Sequence, residues 1–209
     1  MYLLSKDLIF PPVHLAEENG LLALGGDLTP ERLMLAYRQG IFPWFSEGEP
    51  ILWYSPDPRM VLFPNKLRIS KSMKQLMRKQ KFHVTFNQHT SDIITHCKNI
   101  ERKDQAGTWI TNEMQEAYLN LHRKGFVKSA EVWEGNDLVG GLYGIDLGTI
   151  FCGESMFSKV SNASKIAFIF LAQHLEKQNY ALIDCQIYND HLASLGAEEI
   201  PRARFLEYL

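Results

Sequence analysis

Phe151-Cys152-Gly153-Glu154-Ser155-Met156-Phe157 and Leu182-Ile183-Asp184-Cys185-Gln186 are the two stretches whose reading decides the fold. Each is a short apolar run with a carboxylate set inside it, and the second adds an amide two residues after its acid. Alternation along a strand predicts that Asp184 and Gln186 face the same way. A carboxylate inside an apolar run is costly unless it is paired or at work. Between the runs, 162–178 reads as one amphipathic helix, with Ala163, Ile166, Ala167, Phe170, Leu171 and Leu175 on its buried stripe. Strand, helix, strand brings two strands together as parallel neighbours. Glu154, Asp184 and Gln186 are then expected to line one site.

Working outward, Ser129–Trp133 and Leu138–Ile145 flank a hairpin turn at Glu134-Gly135-Asn136-Asp137, and Thr149–Ser155 follows as a third strand. Asn112 to Lys124 reads as a helix stopped by Gly125, with Met114, Ala117, Tyr118 and Leu121 inward. Ser70 caps a short helix with Met73, Leu76 and Met77 on its apolar face, and Val84–Phe86 reads as a strand. A turn at Leu195-Gly196 and a helix from Pro201 close the chain. Antiparallel strands, a helix and a parallel strand predict an α+β domain with a mixed sheet over 64–209, in the order of the GNAT (acetyltransferase-like) core. Residues 1–63 differ in texture, being rich in proline, glycine and aromatic residues. One helix is signalled there by Thr29, Pro30 and the stripe Leu33, Ala36 and Tyr37. This segment is expected to be a small lobe leaning on the larger domain.

The bulk numbers exclude several classes. The chain has 209 residues, 45% of them apolar, and a formal net charge of −2 from 22 basic and 24 acidic residues. That balance does not mark a polyanion binder as a whole. The longest apolar stretch in the long helix, Ile166 to Ala172, is too short to span a bilayer. Met1-Tyr2-Leu3-Leu4-Ser5-Lys6-Asp7 lacks the basic start and long apolar run of a signal peptide, so none is expected. Three widely spaced cysteines (Cys97, Cys152, Cys185) predict reduced thiols in a cytoplasm, and neither they nor the seven histidines have metal-ligand spacing. No metal and no cofactor are expected. Walker, Rossmann and Gly-x-Ser-x-Gly patterns are absent. So is the Arg/Gln-x-x-Gly-x-Gly/Ala loop with which acetyltransferases hold the CoA pyrophosphate; Asn162-Ala163-Ser164-Lys165 stands in its place.

One local asymmetry stands out. Residues 65–81 carry seven lysine and arginine side chains without a single acid, and Lys71, Lys74 and Arg78 share one helix face. Such a face suits a phosphate backbone, or is simply solvated. Trp44, Trp53 and Trp109 lie beside turn residues. Exposed rings stack on bases; buried ones weld a small lobe to a large one, the role expected of Trp53. Glu154 and Asp184 either form a site for an amine or pair with Lys165, Arg59 or Arg202. An acetyltransferase-like core without its CoA loop, but with a basic helix and aromatic residues, points to an acyl donor carried on a nucleic acid. A CoA-dependent enzyme and a non-catalytic RNA-binding module are the rival readings.

Nearly the whole chain resembles the bacterial leucyl/phenylalanyl-tRNA–protein transferases. The resemblance is carried by 19–28 (NGLLALGGDL), 40–45 (GIFPWF), 53–59 (WYSPDPR), 107–111 (GTWIT), 151–158 (FCGESMFS), 162–165 (NASK), 183–186 (IDCQ) and Asn189-Asp190-His191. It implies transfer of Leu, Phe or less often Met from aminoacyl-tRNA to proteins beginning with Arg or Lys, which then enter the N-degron pathway. It implies that Asp184 orients Gln186 and takes up the α-amine proton, and that Glu154 helps hold the cationic acceptor. Leu142, Phe151, Gly153, Phe168, Leu171 and Ile183 would line the amino-acid pocket. Trp44 and Trp109 would flank the terminal adenosine with Tyr37 nearby. Lys71, Lys74, Arg78, Lys79 and Lys81 would touch the acceptor stem. A monomer is expected. The one departure is at the end, where members of the family commonly run on beyond the equivalent of Leu209. An aminoacyl ester is already activated, so the chemistry needs neither ATP nor metal.

Overall fold

The computed structural model describes residues 2–100 and 109–209. Gly107 and Thr108, part of one motif block above, lie outside the described residues. The elements run β1 (Tyr2–Leu4), β2 (Leu21–Gly25), α1 (Pro30–Arg38), β3 (Phe42–Pro43), β4 (Leu52–Tyr54), β5 (Arg59–Leu62), α2 (Lys71–Arg78), β6 (His83–Phe86), α3 (Thr90–Asn99) and α4 (Asn112–Arg123). They continue β7 (Val127–Glu134), β8 (Asp137–Asp146), β9 (Ile150–Ser158), α5 (Ala163–Lys177), β10 (Leu182–Gln186), α6 (Asp190–Ala193), β11 (Glu198–Ile200) and α7 (Arg202–Leu206).

Among the described residues these strands form a four-stranded sheet, β1-β2-β4-β3, and a seven-stranded sheet, β11-β5-β10-β9-β8-β7-β6. In the larger sheet β9 and β10 are parallel and every other neighbouring pair is antiparallel. The sheet is mixed, as the sequence predicts. The β7–β8 hairpin turns between Glu134 and Asp137, where the sequence places it.

The helix signals work as their chemistry requires. Thr29, Ser70 and Thr111 each accept a backbone N–H at the start of α1, α2 and α4 through their side-chain oxygens. α5 covers one face of the large sheet with Ile166, Ala167, Phe168, Leu171 and Leu175, in a core that also holds Ala130, Val132 and Leu142. Ile93, Met114, Tyr118, Tyr143 and Ile145 belong to a second core shared with Leu33, Tyr37 and Trp53 of the N-terminal segment. The lobe and the sheet therefore pack as a continuous interior.

Two features escape the sequence reading. α3 was not anticipated, although Ile93, Ile94 and Cys97 form its buried stripe. β5 comes from the segment expected to be the small lobe, yet it lies inside the large sheet between β11 and β10. Trp53 is fully buried in the core that the lobe shares with the sheet, and its indole N–H donates to the Gly25 carbonyl within the lobe at 2.9 Å.

Candidate active site

The parallel pair builds the site. β10 and β9 are in register through Leu182–Ile150, Ile183–Phe151 and Asp184–Cys152, and pairing stops there. β9 continues to Ser158 on its other partner, β8, so Glu154 stands two residues beyond the last pair. A gap opens between the carboxyl ends of the two strands, the place where α/β sheets accept ligands. Gln186 closes part of it: its amide Nε2 donates to Glu154 Oε1 at 3.1 Å.

Simple alternation does not carry across Asp184–Gln186. A bulge against β5 interrupts the register there, and Gln186 adopts φ +66°. A non-glycine residue in this left-handed region costs roughly 1–3 kcal/mol and persists only where its surroundings enforce it. The enforcement is local: Asp184 Oδ1 accepts the Gln186 backbone N–H at 2.9 Å. Asp184 turns toward the interior and Gln186 toward Glu154, yet both line one cavity.

Asp184 is 1% exposed and takes two hydrogen bonds from Arg59, Nε to Oδ1 at 2.8 Å and Nη2 to Oδ2 at 2.7 Å. Of the partners considered from sequence, Arg59 is therefore the one realised. The guanidinium lies between the rings of Phe42 and Phe205, 4.8 and 4.7 Å from their centroids, and its Nη1 donates to the Gly40 carbonyl. Such a pair on one rigid platform fixes geometry more than it adds stability.

Glu154 has different surroundings. It accepts the Tyr118 hydroxyl at 2.6 Å and the Gln186 amide, and no ion pair reaches it among the described residues. Burial pushes its carboxyl up to about 7, against the lowering effect of the Tyr118 hydrogen bond. Tyr118 was read from sequence only as a core residue of α4; its bond to Glu154 has no local sequence signal.

The cavity has a volume of about 520 Å³, within the ~300–1,000 Å³ of ordinary ligand sites. Its apolar walls include Leu142, Phe151, Gly153, Phe168, Leu171 and Ile183, all six residues expected in the amino-acid pocket. Met156, Leu192 and Cys185 line it as well, with Tyr143 and Ile187, and were missed. Glu154, Gln186, Asn189, His191 and Ser164 supply polar groups. The buried Nε2 of His191 has no hydrogen-bond partner among the described residues. Trp44, 37% exposed, and Trp109 stand at the same cavity with Phe42 and Pro43. Tyr37, expected beside them, is not at the surface of the cavity. It is 1% exposed and its hydroxyl meets that of Tyr118 at 2.7 Å.

Cysteine nucleophilic catalysis has no support here. Burial, and then the charge of Asp184, push the Cys152 and Cys185 thiols well above their usual range. Among the described residues no cluster of three His, Cys, Asp or Glu side chains is suited to a metal ion.

α2 lies away from these walls. Lys71, Lys74, Arg78 and Lys79 are exposed and enter no ion pair among the described residues, whereas Lys81 is 3.2 Å from Glu134. No described helix is long and apolar enough to cross a membrane.

Comparison with known proteins agrees with the geometry. The family model for leucyl/phenylalanyl-tRNA protein transferase matches residues 61–209, and the model for the N-terminal domain of the same family matches 26–57. The chain is similar to the leucyl/phenylalanyl-tRNA–protein transferase of Flavobacterium johnsoniae, with 63% identity over 100% of this chain and 99% of the relative. Proteins of the same name from Christiangramia forsetii and Pseudomonas fluorescens are 59% and 55% identical, each over 100% of this chain and over 100% and 92% of their own lengths. Among solved structures, a GCN5-related N-acetyltransferase from Kribbella flavida aligns with 81% of this chain and 60% of its own, at 9% identity and a TM-score of 0.39. The chain belongs to the leucyl/phenylalanyl-tRNA–protein transferase family.

Proposed function

We propose that this chain moves Leu, Phe and, less efficiently, Met from aminoacyl-tRNA to the N-terminal Arg or Lys of acceptor proteins, marking them for N-degron degradation. Family membership supports tRNA-dependent aminoacyl transfer to proteins. The observation that carries the finer reading is the cavity: apolar walls at one side, the Glu154–Gln186 pair beside them, and two tryptophans at its edge. The apolar walls suit Leu, Phe and Met and reject charged side chains. They separate Leu from Met only modestly, since differences of about a methylene are worth ~1–3 kcal/mol. Trp44 and Trp109 offer ring faces for the terminal adenosine. The exposed face of α2 suits the acceptor stem through Lys71, Lys74, Arg78 and Lys79, with Lys81 beside it.

Because the ester is already activated, the protein's main task is to hold the α-amine against the aminoacyl carbonyl, which is worth several kcal/mol. Asp184, locked by Arg59, serves by fixing the backbone of Gln186. Gln186 and Glu154 present their polar atoms to the cationic N-terminus. The protein works as a monomer in the cytoplasm.

Incubation with radiolabelled Phe-tRNA and peptides beginning with Arg, Lys or Ala tests this reading. Label on the first two alone is expected. Equal label on all three removes the acceptor specificity, and transfer that survives RNase treatment of the donor removes the tRNA dependence.

A further inference from the structure

Behind the cavity runs a chain of hydrogen bonds that the reaction as described above does not use. Tyr118 has a single hydroxyl proton, and it points to Glu154 Oε2 at 2.6 Å. In the 2.7 Å contact between the two phenols, Tyr37 is therefore the donor and Tyr118 the acceptor. The Gln186 amide donates to the other carboxylate oxygen. The donors run in series toward Glu154, and donors in series strengthen one another. Both phenols are buried, at 1% and 0% exposure.

Asp184 is placed differently. Each of its oxygens already accepts a charged hydrogen bond from Arg59, and Oδ1 accepts the Gln186 N–H as well. A proton arriving there would have to displace the guanidinium. We propose that Glu154 is the group that takes the proton from the acceptor's α-ammonium, and that Tyr118, backed by Tyr37, is the positioning residue that holds its carboxylate ready. This rests on the aminoacyl-transfer reading of the same site.

The step balances as follows. The N-terminal ammonium gives one proton to the Glu154 carboxylate. The neutral nitrogen forms the C–N bond to the aminoacyl carbonyl carbon, and the bond from that carbon to the ribose oxygen breaks. The second amine proton leaves with that oxygen as a hydroxyl, and Glu154 returns its proton to water. A carboxyl near 7 is well matched to an α-amine near 8, whereas an ordinary carboxyl near 4.5 would be a base thousands of times too weak. Burial, and then the charge of Glu154, push the phenols of Tyr118 and Tyr37 well above their usual range, so they stay donors. The other titratable groups around Glu154 are Tyr143 on β8, Cys152 on its own strand, Asp184 on β10 and Arg59 on β5. Cys152 stays neutral, and Asp184 and Arg59 compensate each other.

The test is the pH profile of kcat/KM for an Arg-initiated peptide with Phe-tRNA, from about pH 5.5 to 9. Because the acceptor enters as its ammonium and Glu154 takes its proton, the wild type is expected to hold its rate between about pH 8 and 7 and to lose about tenfold per unit below 7, where Glu154 protonates. Glu154→Gln is expected to lower the rate about 10²–10⁴-fold and to replace this limb by one centred near 8, where the amine loses its own proton to water. Tyr118→Phe removes a donor to the carboxylate and moves the wild-type limb to higher pH; Tyr37→Phe moves it less. A carboxyl carbon NMR resonance that vanishes in Glu154→Gln and titrates near 7, higher in Tyr118→Phe, supports the assignment independently of turnover. A limb near 7 that stays in place in Tyr118→Phe, or persists in Glu154→Gln, overturns it. Absence of any transfer by the wild type with Phe-tRNA would instead overturn the aminoacyl-transfer reading.

Discussion

Arg59 and Asp184 form a two-pronged ion pair in which both side chains are 1% exposed, linking the strand after the N-terminal lobe to the strand that carries Gln186. The pair is internal to the sheet, so its energetics and its catalytic role are separable.

Asp184→Ala leaves a guanidinium buried without its counter-charge. Breaking such a pair costs ~3–5 kcal/mol. For a domain of this size that lowers Tm by roughly 6–20 °C. Asp184→Asn keeps an amide oxygen for the Gln186 N–H and is expected to lose less stability. Both variants should transfer more slowly while binding tRNA as before, as measured by calorimetry and by fluorescence titration. A Tm for Asp184→Ala within about two degrees of wild type would mean that the pair is relaxed in solution.

Much of this site was legible in the sequence, for reasons that can be traced. The parallel juxtaposition of Glu154 and Asp184 follows from period-2 runs either side of a period-3.6 helix, both strong local signals. What was not legible depends on residues far apart in sequence. Tyr118 reads as core from its helical spacing, and nothing nearby shows that its hydroxyl ends on Glu154. Tyr37 was expected at the adenosine but lies one hydrogen bond behind Tyr118. The Gln186 bulge is set by Asp184 and by Met60 of β5, a pairing that local periodicity does not encode.

Gly153 and Gly144 lie close together on neighbouring strands, yet substitution should act differently at each. A methyl at Gly153 would meet only the Asp184 carbonyl oxygen, at an ordinary 3.6 Å, and would otherwise stand in the cavity. Gly153→Ala is expected to fold normally and to lower kcat/KM for Phe-tRNA about tenfold more than for Leu-tRNA, since the larger side chain needs the room. A methyl at Gly144 would collide with the Cys152 carbonyl oxygen and come within 2.6 Å of the Phe151 ring, so Gly144→Ala should unfold more readily. An unchanged Phe-to-Leu ratio in Gly153→Ala would place the donor side chain elsewhere.

Charge on α2 should act through salt alone. Each phosphate contact contributes ~0.7–0.9 to the slope of log affinity against log salt. Replacing Lys71, Lys74 and Arg78 by Ala together should weaken tRNA binding and reduce that slope by about 2. Lys81, held by Glu134, should contribute less when replaced singly. An unchanged slope in the triple variant makes this face a solvated one.

Glu154 should leave a signature in folding as well as in transfer. Its folded pKa of about 7 lies above the 4.5 of an unperturbed glutamate. Between those values the folded state binds more protons than the unfolded state, so stability must fall as pH rises. The contribution is complete below about pH 4.5 and is lost as pH passes 7; at about 1.4 kcal/mol per unit it is on the order of 1–3 kcal/mol. Glu154→Gln carries no such proton. Urea unfolding should therefore show the variant gaining on the wild type between about pH 5 and 8, with the change centred in that window. A constant difference across the range would mean that Glu154 titrates as an ordinary surface carboxylate, and that the Tyr118 and Gln186 bonds outweigh its burial.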